Sequence, residues 1–484
     1  MWSLDRAVFV CIDDRATLAA QMANQLLLHR VPCSWIPSAS ENEMTRIRIA
    51  FWALLVGLPA LWLAAETSPR AQPYLQGQYA YANLTGILAM GVMAVALVLA
   101  LRSTAVEPRL GGLDKSYRLH KWLGVLALVA IIAHWLVISY PEWFVAMGVI
   151  APRVANSPRP TAPEWLPSLS GLRGPAQIIG DWSFWIGVAL IALAPVKRVP
   201  YRWFLRTHRW LAIIFLLLVF HSVVLLRASY WSHAVGWVIA ALMAGGAAAA
   251  VYIFVRRVGR TRQAVGEVEG LTHYGDGSIL GVEVCLKDRW PGHTPGQFAF
   301  VDFEDGEGPH PFTISSSWKT DGALTFLIKG LGDYTRTLSS ALTRGMLVTV
   351  EGPYGGFTFA GRHSRQIWIS GGIGIAPFVS RLQDLEKQPD GKTVDFFHAT
   401  VADAVEEIQR LRDLAERAHV TLHLWDPRAN GRFTGPILRE AVPEWRESDV
   451  WFCGPVEFGN NIRRDLFRAG LPESAFHQEL FHLR

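Results

Sequence analysis

The chain has 484 residues, of which 51% are hydrophobic and 18% are charged. This mixture indicates a membrane part joined to a soluble part. The formal net charge of +5 is modest, and the basic residues cluster at the ends of apolar segments. This pattern is typical of membrane topology signals and argues against nucleic-acid binding.

Residues 1–43 are polar, without the long apolar core of a cleavable signal peptide, so none is predicted. A short strand over 7–12 and an amphipathic helix over 15–30 are predicted here. We interpret this part as a cytosolic extension without assigned activity, or as an upstream start with Met44 nearer the functional beginning. Disulfides are not expected, because the four cysteines fall in segments predicted to be cytoplasmic: Cys11, Cys33, Cys285 and Cys453.

Six apolar stretches long enough to cross a bilayer follow. They run roughly over 47–65, 81–101, 122–139, 182–196, 211–226 and 234–255. With six spans, all the flanking basic groups fall on one side, which places both termini in the cytoplasm. These basic residues are Arg46, Arg48, Arg102, Arg109, Lys115, Arg118, Lys121, Lys197, Arg198, Arg202, Arg206, Arg209, Arg256, Arg257, Arg260 and Arg262. The long proline-rich loop 140–181, which contains Trp143 and Trp165, is expected to cap the outer face.

Two of these spans each carry one histidine near a basic end and a second well inside. They are His120 and His134 in the third span, and His208 and His221 in the fifth. An ionisable side chain within a membrane span is costly, so its default interpretation is functional. Both spans run outward from the cytoplasm, so His120 matches His208 in depth and His134 matches His221. Each pair is predicted to ligate one haem iron, whereas a single buried histidine would more simply hydrogen-bond a carbonyl.

The spacing of these histidines differs between the two helices. The 14-residue gap from His120 to His134 places both within roughly 40° on one face and about 21 Å apart along the axis. The 13-residue gap from His208 to His221 corresponds to about 140° on an ideal helix. The fifth helix must therefore bend, bulge or offer its ligands to two differently rotated haems. The neighbouring basic residues either meet propionates of the inner haem or act as topology signals alone: Arg118, Lys121, Arg206 and Arg209.

From about Gly259 short strands alternate with turn residues, which indicates a small antiparallel barrel. After Gly361 the rhythm becomes strand, loop and helix, which indicates a parallel α/β domain. The predicted fold class is therefore multidomain: a six-helix α-helical transmembrane bundle, an antiparallel β-barrel domain and an α/β domain. The predicted boundaries are 1–43 for the extension, 44–258 for the bundle, 259–359 for the barrel and 360–484 for the α/β domain.

Two segments of the predicted barrel have the chemistry to hold a flavin. In the first, His310-Pro311-Phe312-Thr313, followed by Ile314 and Ser315, the hydroxyls of Thr313 and Ser315 are candidates to hydrogen-bond an isoalloxazine ring. In the second, Lys329 with Gly332 and Thr335 offers a cation, small residues and a helix N-terminus, which suits a pyrophosphate. The turn 352–355, Gly-Pro-Tyr-Gly, closes the barrel.

The α/β part carries the elements of a dinucleotide site. A predicted strand leads into Gly371-Gly372-Ile373-Gly374-Ile375-Ala376-Pro377 and then a helix. Glycines allow the backbone to approach phosphates, and the helix N-terminus faces their charge. Cys453-Gly454-Pro455 ends a later strand and would lie beside the nicotinamide, although Cys453 could equally be a buried strand-end thiol.

With these motifs in this order, residues 47–484 resemble the NADPH oxidase / ferric reductase family of transmembrane flavocytochromes. The resemblance implies two bis-histidine b-type haems on the spacings of 14 and 13. It implies FAD held by 310–313 and by Lys329 with 332–335, and NADPH or NADH bound at 371–377 and at 453–455. It also implies an aromatic residue that stacks on the flavin near the chain end, here Phe481, and a catalytic position for Cys453 beside the nicotinamide.

Two positions depart from the family pattern. Many members carry an arginine after the second α/β strand that binds the 2′-phosphate of NADPH, but here the segment 398–401 contains none. Arg428 or Arg432 could substitute, so NADPH and NADH both stay open. Superoxide-producing animal members carry a histidine one turn beyond the outer ligand of the third helix, where this chain has Ile138.

The resemblance implies electron transfer from cytosolic NAD(P)H through FAD and two haems to a small extracytoplasmic acceptor, which we expect to be O2, giving superoxide. A ferric-chelate reductase is the alternative, and a non-catalytic membrane haem carrier or redox sensor is an alternative of another class. We expect a bacterial inner-membrane protein with no nucleic-acid partner, and the sequence identifies no protein partner.

Overall fold

The computed structural model describes residues 41–66, 74–103, 106–152, 171–196, 198–255, 258–275, 277–400 and 405–479. Within them, six helices are long and apolar enough to cross a membrane, as predicted. The strand and helix predicted before residue 40 lie outside the described residues. So do Cys11, Cys33, Trp165, Phe481 and the flanking residues Lys197, Arg256 and Arg257.

The first five of the six membrane helices begin before the apolar runs that predicted them. The bounds of the six are Glu41–Ala65, Tyr74–Ala100, Leu113–Ser139, Arg173–Leu193, Tyr201–His208 with Trp210–Leu225, and Ala234–Val255. We call these the first to sixth spans. The third span, for example, begins at Leu113 and continues through Asp114 and Lys115, because the helix is held by backbone hydrogen bonds that do not depend on hydropathy.

The second span lies at the centre of the bundle and packs against the first, third, fifth and sixth spans. The core between them contains Met90, Phe215 and Met243, all buried. A Cβ placed on Gly246 would lie 2.7 Å from the Phe215 ring, so the glycine allows the fifth and sixth spans to approach closely. Such small residues are typical of membrane helix interfaces, where packing replaces the hydrophobic effect. Phe215 is thus a packing residue of this core.

The fifth span is interrupted at Arg209, directly after His208. There the backbone N–H of Ala212 donates to the Arg209 carbonyl in a tight three-residue turn. Such turns rotate more per residue than the 100° of an α-helix, which brings His208 and His221 nearer to one face. The 13-residue gap is thus accompanied by a local irregularity of the fifth helix at Arg209.

An antiparallel sheet of six strands follows the sixth span. The strands are β1 Gln263–Tyr274, β2 Ile279–Leu286, β3 Phe298–Asp302, β4 His310–Thr313, β5 Ala323–Lys329 and β6 Leu347–Tyr354, in the spatial order β4-β3-β6-β1-β2-β5. Alternate residues such as Val282, Phe326 and Val350 point into one apolar core, as the two-residue period of a strand requires. The two edges meet through a single bridge between Ile314 and Phe326, so the predicted barrel is a curled sheet joined at one point.

The C-terminal part is a parallel α/β layer structure, as predicted. Its strands are β7 Arg365–Gly371, β8 Thr393–Ala399, β9 Thr421–Trp425, β10 Ser448–Cys453 and β11 Phe476–Gln478, in the order β11-β10-β7-β8-β9. The main helices are Ala376–Leu385, Val405–Arg417, Gly435–Ala441 and Val456–Arg468. The chain passes to opposite sides of β7, which makes the carboxyl end of β7 the switch point where such sheets bind ligands.

Candidate functional site

The four predicted haem histidines lie in two pairs. The ring centroids of His120 and His208 are 5.9 Å apart, and those of His134 and His221 are 6.3 Å apart. Two imidazole–metal bonds of about 2 Å each, together with the half-widths of the two rings, span a distance of this size. The structure therefore brings together the pairs that the sequence predicted, with room for one metal ion between the rings of each pair.

A backbone carbonyl on a neighbouring span orients three of the four rings, at Nδ1–O distances of 2.8 to 2.9 Å. The pairs are His120 with Ala96, His134 with Ala82, and His221 with Ala176. A carbonyl can only accept, so Nδ1 carries the proton and Nε2 keeps its lone pair for a metal. The donor set and its orientation fit haem iron.

His208 is the exception. Its Nδ1 is buried and has no hydrogen-bond partner among the described residues. The ring packs against Phe204, with 5.0 Å between centroids, at the end of the helix that precedes Arg209. A buried polar atom without a partner is uncommon and calls for an explanation such as a missing ligand.

Two glycines make room for the rings of His134 and His221, which we call the outer pair. A Cβ on Gly180 would lie 2.3 Å from the His221 ring, and one on Gly86 would lie 3.5 Å from the His134 ring. Each glycine follows by four residues the alanine whose carbonyl accepts from the same histidine. The pattern Ala-x-x-x-Gly in the second and fourth spans is the sequence signal that could have identified these positions.

The two predicted flavin elements lie side by side. The His310 ring stacks on Tyr334 at 4.2 Å and 28°, and it contacts Tyr201 of the fifth span at 4.5 Å. Burial lowers the pKa of His310, so its imidazole is neutral at neutral pH. Pro311 and Phe312 are half-buried in β4, a strand that was not among those predicted. This geometry places the motif 310–313 between the predicted pyrophosphate element and the membrane part.

The predicted pyrophosphate element is the start of the helix Asp333–Ala341. The Thr335 hydroxyl accepts from the backbone N–H groups of Leu331 and Gly332 at 3.0 Å each. Lys329 is the last residue of the adjacent strand β5. Ser315 is buried and donates its hydroxyl hydrogen to the Thr325 carbonyl at 2.9 Å, so that hydrogen already has a partner.

The glycine loop packs against the loop 453–455. A Cβ on Gly374 would lie 2.2 Å from the Cys453 carbonyl oxygen, and one on Gly454 would lie 3.0 Å from the Gly371 nitrogen. These glycines are therefore needed for the contact between the two loops. Gly372 differs, because it has a φ of +54° and a Cβ there would meet nothing within 4 Å. Gly372 is the position open to a ligand, and the helix Ala376–Leu385 follows with Pro377 in its first turn.

Cys453 is 4% exposed, and burial raises the pKa of its thiol. Glu479 lies in the same region, and burial raises the pKa of its carboxyl as well. Its Oε1 makes no hydrogen bond with any described residue. Sequence reasoning did not select Glu479 as a site residue. Arg432 lies in the loop after β9 and, unlike Cys453 and Glu479, is exposed.

Comparison with known proteins matches two parts of the chain to families. Residues 85–219 match the ferric reductase like transmembrane component, and residues 272–358 match an FAD-binding domain. Curated relatives include a flavohemoprotein of Bordetella pertussis, 28% identical over 217 residues and covering 40% of this chain and 53% of that protein. The stachydrine N-demethylase reductase subunit Stc4 of Rhizobium meliloti is 29% identical over 208 residues, covering 39% and 58%. The chain spans about half the length of these curated relatives.

Solved structures show partial similarity. A flavohemoglobin from Malassezia yamatoensis covers 86% of this chain and 99% of its own, with 16% identity and a TM-score of 0.44. A ferredoxin reductase in carbazole 1,9a-dioxygenase covers 45% and 69%, with 20% identity and a TM-score of 0.39. The two family matches, a ferric reductase like transmembrane component followed by an FAD-binding domain, match the pattern of the NADPH oxidase / ferric reductase family that the sequence resembles.

Proposed function

We propose that the protein transfers electrons across the membrane from NAD(P)H, through FAD and two bis-histidine haems, to a small acceptor on the outer side. The main support for this proposal is that two histidine pairs lie at two depths of the bundle, on the same chain as the flavin and nicotinamide elements. A membrane haem carrier or sensor without turnover would need neither of the soluble elements.

The residues of this chain would hold and orient the cofactors. The Nε2 atoms of His120, His134 and His221 and a ring nitrogen of His208 would hold the two irons. The carbonyls of Ala96, Ala82 and Ala176 fix the orientation of the first three rings. FAD, when bound, supplies the conversion of two-electron hydride chemistry into single-electron transfers. The stacked His310 and Tyr334 would border its site, and the capped helix start at Gly332 would bind its pyrophosphate. Gly372 and the N-terminus of the following helix serve the nicotinamide dinucleotide in the same way.

We propose O2 as the acceptor. An iron held by two imidazoles would have no open position, so the acceptor would have to take its electron without binding the metal. The side chains beyond the outer pair are aromatic: Trp135 stacks on Phe184 at 5.2 Å, and Tyr140 stacks on Trp143 at 4.8 Å. Apolar surroundings suit a small uncharged molecule better than a charged ferric chelate, which would lose hydration there. Ferric-chelate reduction is the alternative.

Purified protein in detergent, supplied with FAD and either NADPH or NADH, tests these proposals. We expect dye reduction in air that superoxide dismutase abolishes. Reduction of a ferric chelate at an equal rate without oxygen would instead support the reductase. Failure to oxidise either nicotinamide in protein that contains haem and FAD would refute both and leave a carrier or sensor.

The haem ligands are tested separately by His134→Leu, with Met93→Leu, a packing residue of the same bundle, as the control. We expect His134→Leu to remove the absorbance of one of the two haems and to stop delivery to the acceptor. Unchanged haem content in this variant would contradict the assignment of the outer pair.

A further inference from the structure

A buried charged contact joins the membrane bundle to the antiparallel sheet. Arg102 follows the second span, and its side chain is 15% exposed. Its Nη1 donates to Glu351 Oε1 of β6 at 2.6 Å, and its Nε donates to the Tyr117 hydroxyl of the third span at 2.8 Å. The guanidinium carbon also lies 3.9 Å from the centre of the Phe300 ring of β3. One side chain at the end of the second span therefore contacts the third span and two strands.

The carboxylate at the other end of this contact is enclosed. The Glu351 side chain is 4% exposed, accepts from the Tyr354 hydroxyl at 2.7 Å, and accepts from Gln263 Nε2 at 3.4 Å. Burying an ion pair costs desolvation, so such a pair adds little net stability, and removing one partner is strongly unfavourable. Its best-supported use is to specify one arrangement of the parts that it joins.

The surrounding contacts fix the same arrangement. Leu113 at the start of the third span packs into one buried apolar cluster with Phe298, Phe300 and Tyr354 of the sheet.

The turn 352–355, whose sequence indicated only a tight turn, is held by the same loop of the membrane part. Glu107 accepts from the Gly355 backbone N–H at 3.3 Å, and it lies 3.9 Å from the Arg262 guanidinium. The Arg262 guanidinium in turn lies over the Tyr354 ring at 4.9 Å. The turn is thus part of the contact surface between the two halves.

This contact group lies close to both proposed cofactor sites. Tyr117 precedes His120 by less than one turn of the third span. On the other side, Phe300 is the register partner of Pro311, in the motif 310–313. Arg102 is therefore connected to the inner histidine pair through one helix turn and to the proposed flavin element through one strand pair.

We propose that Arg102 and Glu351 are positioning residues that hold the flavin-binding sheet at a fixed distance from the inner histidine pair. This inference rests on the proposed function, because it concerns the electron step between FAD and the inner haem. Electron transfer slows steeply with distance, so a small displacement of the sheet lowers the rate of this step alone. Hydride transfer, which takes place inside the soluble half, is independent of the contact.

The test uses Arg102→Met and Glu351→Gln in the full-length protein loaded with FAD and haem. We expect NADPH to reduce the haems severalfold more slowly in anaerobic stopped flow, because electron transfer slows steeply with distance. NADPH:ferricyanide reduction by the flavin should stay within about twofold of wild type. The control is Arg365→Met, which breaks the 2.5 Å ion pair with Asp395 inside the α/β part and should leave the ratio of the two rates unchanged.

Hydrogen–deuterium exchange provides a readout that does not depend on turnover. In cofactor-free protein, Arg102→Met should speed exchange in β6 and in the first turns of the third span, but not in β7. If either single variant fails to fold, Tyr117→Phe and the exchanged pair Arg102→Glu with Glu351→Arg replace it. The exchanged pair should recover part of the lost haem reduction rate.

The outcomes distinguish a failure of the positioning role from a failure of the proposed function. Wild-type rates of haem reduction in Arg102→Met with full FAD and haem content would overturn the positioning role. An equal loss of ferricyanide reduction and haem reduction would overturn it as well. Haems of the wild-type protein that stay oxidised in the presence of NADPH or NADH would instead refute the proposed function.

Discussion

Gly180→Ala should remove the outer haem while adding only one methyl group. The Cβ would lie 2.3 Å from the His221 Cε1 and Nδ1 atoms, whereas carbon atoms in contact are separated by about 3.5 Å. The His221 ring must therefore move by about 1 Å. Metal–ligand distances tolerate changes of only about 0.2 Å, so the displaced ring can no longer bind iron together with His134.

Gly86→Ala is the matched control for this change. Its Cβ would lie 3.5 Å from the His134 ring, which is an ordinary contact. Both substitutions improve helix propensity by about 1 kcal/mol, so a general loss of helix stability cannot explain a difference between them.

The measurement is the haem absorbance per polypeptide of the purified proteins, with a reductive titration to distinguish the two haems. We expect Gly180→Ala to keep about half of the haem and Gly86→Ala to keep all of it. Full haem content with an unchanged spectrum in Gly180→Ala would refute the geometry that we assign to the outer pair.

Three further outcomes are expected. Because burial raises the pKa of Cys453, iodoacetamide at neutral pH should label Cys285 much faster than Cys453, and equal labelling would contradict its burial. Burial lowers the pKa of His398 to about 4 in the folded protein. Below the ordinary pKa of histidine, the unfolded chain therefore binds one more proton than the folded chain, and stability decreases as the pH decreases. His398→Gln should therefore lose less melting temperature than wild type between about pH 7 and about pH 5, and parallel losses would refute this. Thr335→Ala removes the acceptor of two backbone N–H groups, which should weaken FAD binding about fivefold, whereas unchanged binding in a titration would exclude that role.

The positions of the six spans were predictable from the sequence because their cause is local. Each span needs a continuous apolar run, and the bilayer thickness sets the length of that run. All six predicted spans are present, and five of them begin earlier, in the polar flanks. The strand β4 was not predicted, because Pro311 interrupts strand patterns. Its position explains the exception, since β4 pairs only with β3 and an edge strand tolerates proline.

The candidate site was predictable where a residue type is unusual for its sequence context. The four histidines are polar residues in apolar spans, and they lie in the predicted pairs. Gly86 and Gly180 could not be selected in this way, because glycine is common in membrane helices and its role depends on the helix that packs against it. The ion pair of Arg102 and Glu351 joins residues 249 positions apart, and Arg102 by itself indicated only the cytoplasmic side. Contacts of this kind depend on tertiary packing that no local pattern contains.

The separation of the two histidine pairs determines how much of the membrane potential acts on each transferred electron. Along the third span, His120 and His134 are about 21 Å apart in a hydrocarbon layer of about 30 Å. On the proposed route, each electron therefore crosses about 0.7 of the membrane potential, which is worth about 1.6 kcal/mol per 100 mV. With the cytoplasm negative, this contribution favours outward transfer. Turnover is then electrogenic, and sustained activity requires a compensating flow of ions, which a proton conductor added to sealed vesicles would reveal as faster turnover.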